Sequence, residues 1–172
     1  MQGRAHPGWH WKGWGEGRPL YILSELLARP DAPVLIVEGE RKVDAARRLF
    51  PEYVAVAPMN GAKSPHKTDW SPLAGCPVVI WPDHDEAGLG FAHACAGLAA
   101  AAGAASVAIV AIPEGWPVGR DLADEPPAGV DIQTAMAMLA NAVPRPSAAI
   151  RPIIRLVPAS CLQSSIAASR CC

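Results

Sequence analysis

One segment constrains this chain more than any other. Val34-Leu35-Ile36-Val37-Glu38-Gly39 is a short, apolar, largely β-branched run that stops at an acid and a glycine. A strand that is apolar on both faces has no side to show to water. It belongs in the middle of a parallel sheet, with helices covering both faces. The residues that follow agree. ERKVDAARRLF, at 40–50, places Val43, Ala46, Leu49 and Phe50 at helical spacing. A second strand is predicted over Tyr53–Ala57, then a polar loop over Met59–Trp70 and a third strand over Pro77–Trp81. An Ala-rich helix over Glu86–Ala102 is stopped by Gly103, and a fourth strand spans Ser106–Ile112. Strand–helix–strand alternation with short connections predicts an α/β fold with a central, mostly parallel four-stranded sheet flanked by helices.

The flanks read differently, which divides the chain into 1–33, 34–142 and 143–172. Residues 1–33 hold a Trp/Gly-rich segment and a short helix, LYILSELLAR at 20–29, ended by Arg29-Pro30-Asp31-Ala32-Pro33. Trp9, Trp11 and Trp14, mixed with His10, Lys12 and Arg18, are expected to form a loop covering the core edge. The alternative is a stacking platform for single-stranded bases. Beyond Pro113 the pattern weakens to a loop, GWPVGRDLADEPPAG, and one more helix over Asp131–Ala142. Residues 143–172 are rich in Pro, Ser and Ala and contain no acid; they are expected to be poorly ordered or a remnant of a longer chain.

Composition limits the function classes. Fifteen Lys+Arg against 16 Asp+Glu give a net charge of -1, so the domain does not hold nucleic acid by bulk charge, although a local basic patch stays open. A hydrophobic share of 51% with 18% charged residues excludes wholesale disorder. No uninterrupted apolar run reaches the roughly 18 residues of a membrane span, and the N-terminus lacks the apolar core of a secretory signal. The expectation is a cytoplasmic protein with no membrane partner. Five cysteines without a CxxC do not encode a zinc module; Cys76 and Cys95 are expected to be core thiols. Trp70 and Trp81 are expected to pack.

The acids carry the chemistry. In an open parallel sheet, ligands bind outside the carboxyl ends of the strands. Glu38 ends the first strand, Asp83 and Asp85 end the third, and Asp121 lies in the loop after the fourth. Carboxylates gathered at one edge repel each other unless a cation intervenes. Mg²⁺, with its preference for oxygen ligands, is the expected cation, and Mn²⁺ is an alternative. In an extended Asp-x-Asp, both carboxylates face the same way, which turns His84 aside. Gly39 leaves backbone room beside Glu38, and Gly88 lets the next helix start close to a bound phosphate. Lys63 and Lys67 are candidate phosphate contacts from the opposite wall. Taken singly these features are ordinary, and Asp85 reads equally well as a helix N-cap. Their order along the chain is what points to phosphodiester chemistry.

At these residues the chain resembles the Toprim domain, the Rossmann-like catalytic module shared by bacterial-type primases, type IA and type II topoisomerases, and some nucleases and recombination proteins. The resemblance runs from about Val34 to Glu125. VLIVEGERKVDAA resembles the family's first motif, with its glutamate at Glu38, and WPDHDEAG the second, with its acids at Asp83 and Asp85. GRDLADE is similar to a looser primase segment, which places a third acidic position at Asp121, with Asp124 a further candidate. PMNGAKSPHKTDW resembles a segment of phage primase-helicases and of primase-like proteins on mobile elements. Glu40 stands where replicative primases often carry tyrosine, and the phage type accepts an acid there.

The resemblance implies Mg²⁺-dependent nucleotidyl or phosphoryl transfer on DNA and nucleotides. Glu38 would be the general acid/base, Asp83, Asp85 and Asp121 the metal ligands, and single-stranded DNA the template. A helicase module or replication protein would be the partner. A Toprim nuclease, a non-catalytic nucleic-acid-binding module and an unrelated receiver-type domain are the alternatives. The only tyrosines, Tyr21 and Tyr53, fall on the leading helix and a strand, which argues against a complete topoisomerase. No GxxxxGK[ST] loop is present for a helicase.

Overall fold

A computed structural model gives the fold, describing residues 15, 17–59, 61–63, 65–124 and 132–145. In chain order its elements are β1 (Leu20–Tyr21), α1 (Leu23–Ala28), β2 (Val34–Ile36), α2 (Glu40–Leu49), β3 (Val54–Pro58), β4 (Pro77–Ile80), α3 (Glu86–Ala101), β5 (Ser106–Ile109), α4 (Ile132–Ala140) and β6 (Val143–Arg145). Three short 3₁₀ turns, at Gly61–Lys63, Pro65–Lys67 and Ser71–Leu73, bridge β3 to β4.

The strand order is β1-β3-β2-β4-β5-β6. The four inner strands are parallel, with Leu35 level with Ala55 on one side and Val79 on the other. This is the four-stranded parallel core expected from the apolar runs. Val34, Leu35 and Ile36 are fully buried, as a strand covered on both faces must be. Successive strand residues feed opposite layers. Val34, Ile36, Val78 and Ile80 pack with Leu26 of α1 and with Phe91, Ala92, Cys95 and Ala99 of α3. Leu35, Val37, Ala55 and Ala57 pack with Val43 and Ala46 of α2, with Phe50 and with Leu139 of α4. Small residues on the inner face of α3 let that helix lie close to the sheet. The two tryptophans do pack: Trp81 meets Phe50 at 5.8 Å between ring centroids, and Trp70 donates its indole N–H to the Pro65 carbonyl at 2.8 Å. Cys76 and Cys95 are buried free thiols, and burial pushes the thiol of each upward.

Two antiparallel edge strands were not expected. Leu20–Tyr21 pairs with Ala57–Pro58, so the helix predicted over 20–29 begins only at Leu23. Ile22, at φ 65°, adopts the left-handed conformation between the two elements. Tyr21 therefore lies on a strand rather than on the leading helix. At the other edge β6 pairs with β5, carrying the sheet past residue 142 to Arg145. Pro144 is compatible with that position because an edge strand has one unpaired side. Trp9, Trp11 and Trp14 and the tail beyond Arg145 lie outside the described residues.

Candidate active site at the carboxyl edge of the sheet

The chain leaves β2 through α2 to reach β3 on one side, then crosses back to β4 on the other. This reversal opens a crevice at the carboxyl ends of β2 and β4, the position where open α/β sheets bind ligands. Glu38 follows β2 and Asp83 follows β4, so the two acids flank that crevice. Asp121 arrives by a separate route. His84 donates its backbone N–H to the Arg120 carbonyl at 2.9 Å, and Gly119 returns one to the His84 carbonyl at 2.9 Å. The His84 ring adds a contact from Nδ1 to the Pro117 carbonyl at 3.1 Å. His84 thus ties the 117–120 loop to the Asp-His-Asp turn.

The acids converge on a residue that the motif reading did not single out. Lys42 Nζ lies 3.4 Å from Glu38 Oε2 and 3.6 Å from Asp121 Oδ2, and it donates a hydrogen bond to Asp83 Oδ2. All four side chains are only 14–18% exposed. Gly39, in extended conformation, is the N-cap of α2, and the first turn of that helix places Lys42 beneath Glu38. Arg41 lies outside the cluster, 74% exposed, 3.2 Å from Asp124 Oδ1 and 4.0 Å from Asp121 Oδ1. Asp121 Oδ1 also accepts the Ala123 N–H at 2.7 Å, which fixes its orientation.

Burial pushes the Glu38 carboxyl up to about 7, helped by the carboxylate of Asp83 beside it and opposed by Lys42. For Lys42, burial works to lower the ammonium pKa, but Asp83, Glu38 and Asp121 outweigh it and hold it above its ordinary value.

Asp85 takes a different place. It is exposed, and its carboxylate N-caps α3 by accepting the Gly88 N–H at 2.6 Å. The Asp85 N–H folds back to the Asp83 carbonyl at 2.9 Å, so the segment is a tight turn. The alternation of an extended Asp-x-Asp does not operate there, and Asp85 is not among the acids at Lys42. Asp85→Ala is expected to cost roughly 1 kcal/mol in urea unfolding, with Asp85→Asn close to wild type. Equal stability of all three proteins would remove the cap.

The glycines also differ from expectation. A Cβ on Gly88 would lie 2.5 Å from the Asp83 carbonyl oxygen, so this glycine lets α3 pack against Asp83 itself. Around Gly39 there is open space, as expected. Gly61, at φ +66°, brings the 61–63 turn against the Glu38 carbonyl. Lys63 is exposed on that turn, and Lys67 is half-buried on the next.

Among the described residues, no group of three or more His, Cys, Asp or Glu is arranged to hold a metal ion. Asp83 and Asp121 turn to the Lys42 ammonium, and Asp85 turns to the helix cap. As they stand, these residues do not fit the Mg²⁺ that the resemblance implies, because the chain's own cation fills the place between them. The sequence signal for Lys42 was its spacing, four residues after Glu38 across a helix start.

The fold is a Toprim-type α/β fold of the kind found in primase catalytic cores. It is similar to the DnaG catalytic core, at 23% identity and a TM-score of 0.53, over 76% of this chain and 42% of that one. It is also similar to a DNA primase domain from Pseudomonas aeruginosa, at 22% identity and a TM-score of 0.54, over 82% of this chain and 42% of that one. A third likeness is the Aquifex aeolicus primase, comprising its zinc-binding and RNA polymerase domains, at 21% identity and a TM-score of 0.51, over 73% and 30%. At these identities the likeness speaks for the fold alone. The chain spans about two fifths or less of each of these structures. No family model and no curated protein matches it. No described helix is long and apolar enough to cross a membrane.

Proposed function

We propose that this chain is the Toprim module of a primase-like protein of the phage or mobile-element type, and that it performs nucleotidyl transfer on single-stranded DNA at the edge carrying Glu38. The observation that carries this reading is the convergence of Glu38, Asp83 and Asp121, from three separate segments, at the crevice between β2 and β4. Carboxylates so gathered repel one another, and the single Lys42 ammonium leaves net negative charge at this edge.

In this reading Glu38 is the proton carrier. It accepts the proton of an attacking 3′ hydroxyl as that oxygen bonds to the α-phosphorus and pyrophosphate departs. A carboxyl pushed up to about 7 is suited to gaining and losing a proton near neutral pH. Asp83 and Asp121 hold Lys42 and, through it, the orientation of Glu38. In this reading Lys63, on the turn that Gly61 brings beside Glu38, contacts a template or nucleotide phosphate, and Lys67 on the next turn is a second contact. A helicase module or replication protein is the partner in this reading.

A primer-synthesis assay tests this, with labelled nucleotides, single-stranded DNA and Mg²⁺ or Mn²⁺. Template-dependent extension products are expected. Nicking without synthesis would mean a nuclease. A second reading, a non-catalytic nucleic-acid-binding module, is favoured by Lys42, whose ammonium already occupies the place between the acids. DNA binding with neither synthesis nor cleavage would establish that reading.

A further inference from the structure

We propose that Lys42 is the resident cation of this edge. Its ammonium takes the place between Glu38, Asp83 and Asp121 that a divalent ion would need, so the wild-type chain binds divalent ions there only weakly. The inference rests on reading this edge as the working site, but its test does not depend on catalysis.

The geometry carries it. Mg²⁺ takes six oxygen ligands at about 2.0–2.1 Å, of which one or two carboxylates fix it to the protein and water or phosphate fill the rest. The carboxylate oxygens that would fix it already face Nζ, with two of the contacts at 3.4 and 3.6 Å. A divalent ion and an ammonium repel each other and cannot share this space. Lys42 is also tethered. The neighbouring residues Val43 and Ala46 of α2 are fully buried in the core, so the stem of Lys42 rises from a fixed point. A tethered competitor acts at high effective concentration. To admit a metal, the ammonium must give up contacts to three carboxylates at once. Arg41, 74% exposed and paired outside with Asp124, does not substitute for it at the centre.

The experiment is Mn²⁺ titration of the folded full chain, followed by electron paramagnetic resonance of free Mn²⁺ at neutral pH. Wild type, Lys42→Met and Lys42→Arg are compared. Wild type and Lys42→Arg are expected to bind weakly. Lys42→Met is expected to gain one site at least about tenfold tighter, and adding Asp83→Asn should abolish the gain. Thermal unfolding gives a second readout. Mn²⁺ should raise the midpoint of Lys42→Met by more than that of wild type, which also covers a variant that folds only with the ion bound. Equal Mn²⁺ affinity in wild type and Lys42→Met would overturn the proposal, as would tight binding by wild type. Absence of primer synthesis alongside the tenfold gain would refute the proposed activity and leave the cation assignment standing. Synthesis with no gain would do the reverse.

Discussion

Glu38→Gln is expected to lower primer synthesis by roughly 10²–10⁴-fold while the chain stays folded, because the amide has the shape of the carboxyl but cannot carry a proton. The same substitution has a second signature that needs no activity. The Glu38 carboxyl stands at about 7 in the folded chain, against an ordinary value of 4.5. Between those values the folded chain holds a proton that the unfolded chain has released. Its contribution to stability is therefore complete below about pH 4.5 and is lost as pH rises through about 7. At about 1.4 kcal/mol per unit, the gap sets an upper bound on the order of 3 kcal/mol, which solvent screening reduces. Urea unfolding from pH 5 to 8, with EDTA present, should show stability falling with pH in wild type and a flatter profile in Glu38→Gln. An unchanged slope would place the titrating group elsewhere. Full synthesis by Glu38→Gln would remove it from the chemistry.

Gly88→Ala is the second substitution with a large expected effect. In an exposed helix, replacing glycine with alanine gains up to about 1 kcal/mol. Here the new Cβ would lie 2.5 Å from the Asp83 carbonyl oxygen and 2.8 Å from the Asp83 nitrogen and Cβ. Two of those atoms are backbone and cannot rotate away, so α3 or the Asp83 turn must move. Overpacking of this kind costs typically 1–3 kcal/mol, which exceeds the helix gain. The movement would also draw Asp83 from Lys42. Gly90, two residues further along the same helix, meets nothing within 4 Å. Gly90→Ala should therefore stabilise slightly while Gly88→Ala destabilises. If both variants gain stability, the close approach at Asp83 is not real.

Much of this architecture was legible in the residues. The run at 34–37 is buried on both faces because it is apolar on both faces, and the central position of β2 follows from that. The acids at Glu38, Asp83 and Asp121 gather because parallel strands deliver their carboxyl ends to one edge. What was hidden depended on pairing partners. Leu20–Tyr21 looks helical in isolation and becomes a strand only because Ala57–Pro58 lies alongside. Val143–Arg145 becomes a strand only beside β5. Asp85 fits two roles by sequence, and the tight turn at Asp83 selects the cap. Lys42 has the look of an ordinary surface lysine on an amphipathic helix. Its meaning appears only when Asp83 and Asp121, 41 and 79 residues further along, meet its ammonium.

The most direct test of this arrangement is a crystal structure of the chain grown at neutral pH without divalent ions. The expected result is Lys42 Nζ within about 4 Å, the reach of an ion pair, of carboxylate oxygens from Glu38, Asp83 and Asp121, with Asp85 capping α3. Lys42 extended into solvent, with the three carboxylates apart, would contradict it.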